Sequence, residues 1–119
     1  MAVGPGILIV DDHEGFRAAA RTMLEAEGFD VVGEASDGDG AVDAAASLRP
    51  GVVLLDVHLP GMDGFAVSER LAALASPPTV VLISSRPIAD LRRRVAASPV
   101  VGFLPKHELS GAALSAILG

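Results

Sequence analysis

The sequence predicts an α/β fold in which helices cover both faces of a five-stranded parallel sheet, a three-layer (βα)5 sandwich. Short runs rich in Val and Ile alternate along the chain with segments whose apolar residues recur at helical spacing, which gives five βα units. Strictly alternating βα units favour right-handed crossovers and a parallel sheet. The length of 119 residues is that of one ordinary domain, so we expect a single domain over residues 1–119.

The five predicted strands are too short to be globular helices, and turn-forming residues separate them from the helices. They are residues 7–10, 29–35, 52–55, 79–83 and 101–104. One separating run, "DGDG" at residues 37–40, lacks the further oxygen ligands of a calcium loop. We interpret it as a turn with a helix cap.

Each predicted helix carries its apolar residues in a stripe along one face, as expected of a helix that packs on a sheet. The five stripes are Phe16, Ala20, Met23 and Leu24; Ala41, Ala45 and Leu48; Phe65, Leu71 and Leu74; Ile88, Leu91 and Val95; and Leu109, Ala113 and Ile117.

Five strands suit the flavodoxin-like order 2-1-3-4-5, in which strands 1 and 3 are neighbours at the point where ligands bind. Polar residues follow four of the apolar runs, and they are Asp11 and Asp12, Asp56, Ser84 and Lys106. Parallel strands bring their carboxyl ends to one rim, so we expect these residues to converge there. Lys106 is the single lysine beside eight arginines, which suggests that this position requires a compact ammonium.

Asp11, Asp12 and Asp56 would put three carboxylates in one pocket. Two such charges ~4 Å apart repel by about 4 kcal/mol at an effective dielectric constant near 20. Either a raised pKa or a bound cation relieves this repulsion. A hard divalent ion such as Mg²⁺, which prefers oxygen ligands, would suit the pocket.

The composition excludes several classes of protein. A net charge of -6 and an isoelectric point near 4.8 oppose a nucleic-acid surface, which needs clustered cations. Mean hydropathy is +0.49, yet charged residues, Gly or Pro interrupt every apolar stretch well short of the ~20 residues that span a bilayer. The amino terminus "MAVGPG" has no basic region of a secretory signal, and cysteine is absent. We therefore expect a cytoplasmic protein that contacts neither membrane nor nucleic acid.

Four motifs resemble the receiver domain of two-component response regulators, and the resemblance covers essentially the whole chain. They are "ILIVDD", "VVLLDVHLPGMDG", "VVLISS" and "GFLPK". Their spacing is also similar, with Asp56 lying 44 residues after Asp12 and Lys106 lying 22 after Ser84.

The resemblance implies a role for each matching residue. Asp56 would accept the phosphoryl group, while Asp11, Asp12, Asp56 and the backbone carbonyl of His58 would hold Mg²⁺, for which Mn²⁺ could substitute. Ser84 and Lys106 would contact the phosphoryl oxygens. Ser84 and Phe103 would then act as the switch.

The resemblance also implies partners and output. A sensor histidine kinase or a small phosphodonor would supply the phosphoryl group, and the chain would be no enzyme beyond self-phosphorylation and self-dephosphorylation. Output would use the face formed by the fourth and fifth helices and the fifth strand. A homodimer could form there if Arg92, Arg93 and Arg94 met Asp90 and Glu108 of a second copy. We expect no effector domain in this chain.

Simpler interpretations exist for single residues. Asp11 or Asp12 could cap the following helix, and Ser84 could be a turn hydroxyl. Phe103 could be an ordinary core residue. His13, His58 and His107 share no ligand spacing, so we expect all three to be solvent-facing loop residues.

Other classes of protein also remain open. A nucleotide or flavin module would need a Gly-, Ser- or Thr-rich loop after the first strand, where Asp11 and Asp12 stand. A haloacid-dehalogenase-type phosphatase would need two aspartates separated by one residue. A pseudo-receiver that only binds partners would keep the same residues without accepting phosphate.

Three positions depart from the receiver pattern. Phe103 lacks the hydroxyl of the tyrosine frequent there, so no hydrogen bond could lock its rotation. Pro105 precedes Lys106 and is tolerated best on an edge strand, which the fifth strand would be. The run "AASPVV" replaces the usual turn of small residues, so we expect a fourth helix that is short or shifted.

Overall fold

Five strands alternate with five helices in the computed structural model, which describes residues 5–87, 89 and 91–119. A short 3-10 helix, Lys106–Glu108, follows the last strand. In chain order the elements are β1 Gly6–Val10, α1 Glu14–Ala26, β2 Asp30–Ala35, α2 Gly38–Leu48, β3 Val52–Asp56, α3 Gly64–Ala72, β4 Thr79–Ser84, α4 Arg92–Ala96, β5 Gly102–Pro105 and α5 Gly111–Leu118.

The sheet has the predicted topology. All four pairings are parallel, and the order is β2-β1-β3-β4-β5. Val10 at the end of β1 pairs with Leu55 of β3, and Ser84 at the end of β4 pairs with Pro105 of β5. The carboxyl ends of these four strands therefore form one continuous rim. Pro105 lies on an edge strand, as its missing N–H requires.

The central strands are buried on both faces because their alternate side chains enter two different cores. On β3, Val53 and Leu55 pack with α2 and α3, whereas Val52 and Leu54 pack with α1 and α5. One core thus joins a face of the sheet to α2 and α3, with Val95 of α4 packed against it, and the other core joins the opposite face to α1 and α5. This arrangement confirms the three-layer sandwich.

Short polar side chains cap the amino termini of three of the helices. Asp37 accepts a hydrogen bond from Gly40 N at the start of α2, Asp63 from Ala66 N at α3, and Ser110 from Ala113 N at α5. The bond at Asp37 confirms the predicted helix cap, although Gly38, Asp39 and Gly40 of "DGDG" already form the first turn of α2. Each cap satisfies one N–H group that the first turn of a helix leaves unpaired.

The fourth helix differs most from an ordinary βα unit. α4 has five residues and none of them is buried. Leu91, which belongs to the predicted apolar stripe, lies just before α4 and is buried. Ile88 of the same stripe lies outside the described residues. The short α4 agrees with the expectation drawn from "AASPVV".

The strand bounds differ from the predicted ones by one residue. β1 begins at residue 6 instead of 7 and β2 at residue 30 instead of 29, while β3 and β4 end one residue later than predicted. β5 is shifted by one residue, to Gly102–Pro105, and leaves Val101 56% exposed. Leu48 belongs to the predicted α2 stripe but is 47% exposed, because it is the last residue of the helix. Within the described residues, no helix has the length and apolar character to cross a membrane.

Candidate functional site

The four polar positions predicted from the sequence all lie on the carboxyl rim of the sheet. Asp56 and Ser84 are the last residues of β3 and β4, Asp11 directly follows β1, and Lys106 directly follows β5. The strand order brings β1, β3 and β4 side by side. Residues far apart in the chain thereby share one small region.

Asp56 is a buried carboxylate whose two oxygens have different partners. The residue is 2% exposed. Its Oδ1 accepts a hydrogen bond from His58 N at 3.1 Å, and its Oδ2 lies 3.2 Å from Lys106 Nζ. Burial raises its pKa above the usual value and the nearby Asp11 charge raises it further, against the opposing effects of the His58 N–H and the Lys106 ammonium.

Lys106 joins two of the carboxylates. Its Nζ lies 2.5 Å from Asp11 Oδ2, 3.2 Å from Asp56 Oδ2 and 4.8 Å from the centre of the Phe16 ring. Burial alone would lower its pKa, but the contacts with Asp11 and Asp56 outweigh burial and raise that pKa above its usual value. The Lys106 side chain therefore lies between the carboxyl groups of Asp11 and Asp56.

Asp11 is fully buried and its backbone is fixed on both sides. Its N–H donates to Ala35 O at 3.1 Å, and Arg17 Nη1 of α1 donates to its carbonyl at 2.6 Å. Its Oδ1 accepts from His13 N at 2.8 Å. Its buried Oδ2 is paired with the Lys106 ammonium, whose Nζ lies 2.5 Å away.

His13 is a member of this cluster that the sequence interpretation missed. Its side chain is 72% exposed, as expected of a loop residue, yet its Nδ1 lies 3.2 Å from Asp11 Oδ1 and 3.0 Å from Asp12 Oδ1. His13 is also the residue that precedes α1, and it makes no side-chain cap, so neither Asp11 nor Asp12 caps that helix. The available signal was its position directly after the aspartate pair.

Neither Ser84 nor Phe103 makes a hydrogen bond or ion pair with the cluster among the described residues. Ser84 is buried, and its Oγ accepts a hydrogen bond from Arg86 N at 3.0 Å, which is the turn contact considered as the simpler interpretation. Phe103 is partly buried and packs against the core on the α2 and α3 side. Their switch roles stay predictions.

The chemistry of the cluster suits a divalent cation. One ligand atom from each of Asp11, Asp12, His13 and Asp56 lies within 4.8 Å of the others. The set contains three carboxylates, and in this structure the Lys106 ammonium supplies the positive charge beside the buried Asp11 Oδ2. Oxygen-rich sites of this kind fit Mg²⁺ or Mn²⁺. His58, whose backbone carbonyl is predicted as a further ligand, lies two residues after Asp56 and is exposed.

A model of the response regulator receiver domain matches residues 7–117. The chain belongs to this family. The matched residues include all five strands apart from the first residue of β1, and they include every candidate site residue named above. The resemblance drawn from the four motifs is thus confirmed.

Relatives of this receiver domain are bacterial regulators. It is 38% identical over 102 residues to the positive transcription regulator of virulence factors BvgA of Bordetella pertussis, which covers 86% of this chain and 49% of that protein. It is 38% identical over 80 residues to the transcriptional regulatory protein LiaR of Bacillus subtilis, over 66% of this chain and 38% of that protein. The chain thus spans about half the length of BvgA, and less of LiaR.

A solved structure shares the fold almost completely. The signal receiver domain of the response regulator NarL from Mycobacterium tuberculosis superposes with a TM-score of 0.83 at 31% identity, over 97% of both chains. The flavodoxin-like topology of this receiver domain is therefore also that of a solved relative.

Proposed function

We propose that this receiver domain accepts a phosphoryl group on Asp56 in a Mg²⁺-dependent signalling reaction. The observation that carries the proposal is the contact between the buried Asp56 carboxylate and the Lys106 ammonium at 3.2 Å. A buried carboxylate beside a fixed cation, with two further aspartates at hand, is a site for an anion to be received and neutralised.

The residues divide the work of transfer. A carboxylate oxygen of Asp56 forms the new bond to phosphorus, and the bond to the donor breaks, so the donor atom leaves with its electron pair. Lys106 balances charge on the phosphoryl oxygens as they approach Asp56. Asp11, Asp12, Asp56 and the carbonyl of His58 would hold Mg²⁺. The ion, when bound, supplies positive charge to the phosphoryl oxygens.

Transfer would change the rim through charge. The aspartyl phosphate brings additional negative charge and strong acceptor oxygens next to β4. The Ser84 hydroxyl, which now accepts from Arg86 N, would turn to donate to a phosphoryl oxygen. Phe103, on the neighbouring β5, would move into the space that Ser84 leaves. The changed surface would be the α4-β5-α5 face.

The partners follow from this chemistry. The phosphoryl donor would be a sensor histidine kinase or a small acyl phosphate. The reaction would take place in the cytoplasm. Output would be a contact with another protein and not with nucleic acid. The chain carries a net charge of -6, which disfavours binding to the negatively charged phosphate backbone of nucleic acid. The domain would act as a phosphoacceptor rather than as an enzyme with an external substrate.

Intact-mass measurement tests this function. We expect incubation with acetyl phosphate and Mg²⁺ to add one phosphoryl group, and incubation with acetyl phosphate and a chelator to add none, because the clustered carboxylates repel an anionic donor. The Asp56→Asn variant should give no adduct. Asp43→Asn, which removes an exposed carboxylate on α2, is the matched control and should behave as the wild type.

Two different results would contradict this proposal, and the mass measurement distinguishes them. An adduct that persists on Asp56→Asn would assign the acceptor to another residue. A wild-type protein that gains no mass with donor and Mg²⁺ would contradict phosphoryl transfer altogether and favour a pseudo-receiver that only binds partners.

A further inference from the structure

The aromatic ring of Phe16 contacts the ammonium of Lys106. Nζ of Lys106 lies over the face of the ring, 4.8 Å from its centre. A cation within about 6 Å of a ring centroid is attracted by the negative face of the π system. The same Nζ lies 2.5 Å from Asp11 Oδ2 and 3.2 Å from Asp56 Oδ2. Of these three contacts of the ammonium, the ring is the one that carries no net charge.

The ring has a fixed place beside the rim. Phe16 lies in the first turn of α1, is partly buried, and packs against the core on the α1 and α5 side of the sheet. The next residue, Arg17, donates from Nη1 to Asp11 O at 2.6 Å and from Nε to Glu34 Oε1 at 3.1 Å. These bonds hold the first turn of α1 against the end of β1 and against β2.

The Lys106 side chain depends on its contacts to stay in one position. It is long and flexible, and its conformational entropy is lost when the ammonium is held at one place. A phosphoryl group that reaches Asp56 draws the ammonium to its own oxygens, so the contacts with the two carboxylates must change. The contact with the Phe16 ring can persist, because the ring attracts the cation without neutralising its charge.

Core packing is the simpler explanation for an aromatic residue at this position, since Phe16 belongs to the apolar stripe of α1. Phe29 provides the comparison. It is also partly buried against the same core, and among the described residues no cation lies over its ring. If Phe16 served packing alone, the same substitution at the two positions would have similar effects, and neither effect would depend on Lys106.

We propose that Phe16 is a positioning residue for phosphoryl transfer, and that its ring holds the Lys106 ammonium beside Asp56 while the phosphoryl oxygens replace the carboxylate contacts. A cation that is already in place does not have to be ordered during the reaction, which lowers the barrier. Phe16 itself touches no reacting atom. The role in transfer rests on the proposed function, whereas the contact of the ring with Lys106 can be measured without phosphorylation.

Nuclear magnetic resonance of the lysine tests the contact directly. Because Lys106 is the only lysine of the chain, protein labelled with ¹³C-lysine gives one side-chain signal set. The εCH₂ protons are bonded next to Nζ, so the ring current should shift them upfield of their usual position in the wild type. The upfield shift should be kept in Phe16→Tyr and in Phe29→Leu, and it should be lost in Phe16→Leu.

The initial rate of adduct formation with acetyl phosphate and Mg²⁺ tests the role in transfer. Phe16→Leu should label on the order of fivefold more slowly than the wild type, a factor of the size expected for one partly enclosed cation-π contact. Phe16→Tyr keeps the ring and should label within about twofold of the wild-type rate. Phe29→Leu makes the same change in the same core and is the matched control, which should also label at nearly the wild-type rate.

A double-mutant cycle separates positioning from packing. In a Lys106→Met background, Phe16→Leu should slow labelling no further, because the ring then has no cation to hold. Equal slowing by Phe16→Leu with and without Lys106 would overturn the proposal, as would a wild-type lysine signal without the upfield shift. A wild type that gains no mass but shows the shifted lysine signal would contradict the proposed function and not the contact, so the two failures are distinguishable.

Discussion

Lys106 Nζ lies 3.2 Å from Asp56 Oδ2, which joins the end of β5 to the end of β3 across 50 positions of the chain. The contact crosses above β4, the strand that separates the two in the sheet. It places the protein's single positively charged lysine on the proposed acceptor, where the charge is partly shielded from water. We therefore expect phosphoryl transfer to Asp56 to depend on the size and shape of the Lys106 ammonium group.

Lys106→Arg should slow phosphorylation by acetyl phosphate on the order of tenfold despite retaining the positive charge. The planar guanidinium is broader than an ammonium and cannot take the same position between Asp11 and Asp56. The initial rate of adduct formation, followed by intact mass, measures the effect. Arg70→Lys exchanges the same two residue types in an exposed pair with Asp39 and should label at the wild-type rate. Equal rates for all three proteins would refute the role of Lys106.

Gly64→Ala should destabilise the fold by about 1 to 3 kcal/mol and also slow labelling of Asp56. A Cβ at position 64 would overlap the carbonyl oxygen of Asp56 and lie 2.8 Å from Val57 Cα, and these backbone atoms cannot move without shifting the acceptor. Urea denaturation and the labelling rate measure the two effects.

Gly15→Ala is the matched control for that substitution. A Cβ at position 15 meets nothing within 4 Å, and the residue lies in the first turn of α1. The change should stabilise the protein by up to about 1 kcal/mol and leave labelling unaffected. A Gly64→Ala protein as stable as Gly15→Ala would contradict the close approach of α3 to β3.

Asp63 should contribute stability that depends on pH. Burial alone would raise its pKa, but hydrogen bonds from Ala66 N–H and the Arg94 guanidinium outweigh burial and hold that pKa below 3.8. The ionised carboxylate therefore stabilises the native state above about pH 4, and this contribution is lost as the pH falls through the lowered native value.

Two substitutions separate the roles of the Asp63 side chain. Asp63→Asn keeps an acceptor for Ala66 N and loses the ion pair with Arg94, whereas Asp63→Ala loses both. At about pH 7 we expect Asn to cost less than about 1 kcal/mol and Ala about 1 kcal/mol more. Urea denaturation at several pH values should show the gap between wild type and Asn closing in acid. A gap independent of pH would contradict the charge contribution.

Self-association should increase on phosphorylation and should depend on Arg92 and Arg93. Both are exposed on α4, and Glu108 is exposed on the 3-10 helix after β5, so a two-fold pairing could join them between copies. Asp90, the other expected partner, lies outside the described residues. Sedimentation before and after acetyl phosphate treatment measures the increase.

Charge reversal provides the test of that surface. Arg92→Glu with Arg93→Glu should abolish the increase, because rim charges set the register of an interface. Arg21→Glu with Arg70→Glu changes the net charge equally on α1 and α3, and this control should still associate. A phosphorylated wild type that stays monomeric at high concentration would show that output passes to a different partner.

The strand order and the convergence of Asp11, Asp56 and Lys106 could be predicted because both depend on position along the chain. Apolar runs fix where strands end, and parallel strands fix which ends meet. Asp56 illustrates this, since it is predicted at a strand end and is the last residue of β3. The buried state of Asp11 follows in the same way from its place beside β1.

The features that could not be predicted depend on side-chain direction. Nothing in the sequence indicates that His13 turns its Nδ1 back towards Asp11 and Asp12, because a single histidine in a loop has no periodic pattern. The hydrogen bond from Arg86 N to Ser84 Oγ is likewise a local choice of rotamer. Leu48 fits the apolar spacing of α2 and lies over Gly33 of the edge strand β2, yet it is 47% exposed, since spacing does not reveal how much cover the end of a helix has.

The short β5 limits how other chains can attach to this molecule. It is the last strand of the sheet, it has four residues, and Pro105 at its end offers no N–H group. An exposed strand edge is a template for strand addition and aggregation, and brevity and proline both weaken it. The β5 edge of this receiver domain is thus protected from sheet-to-sheet assembly. At this edge a partner must therefore bind to side chains and not to the peptide backbone.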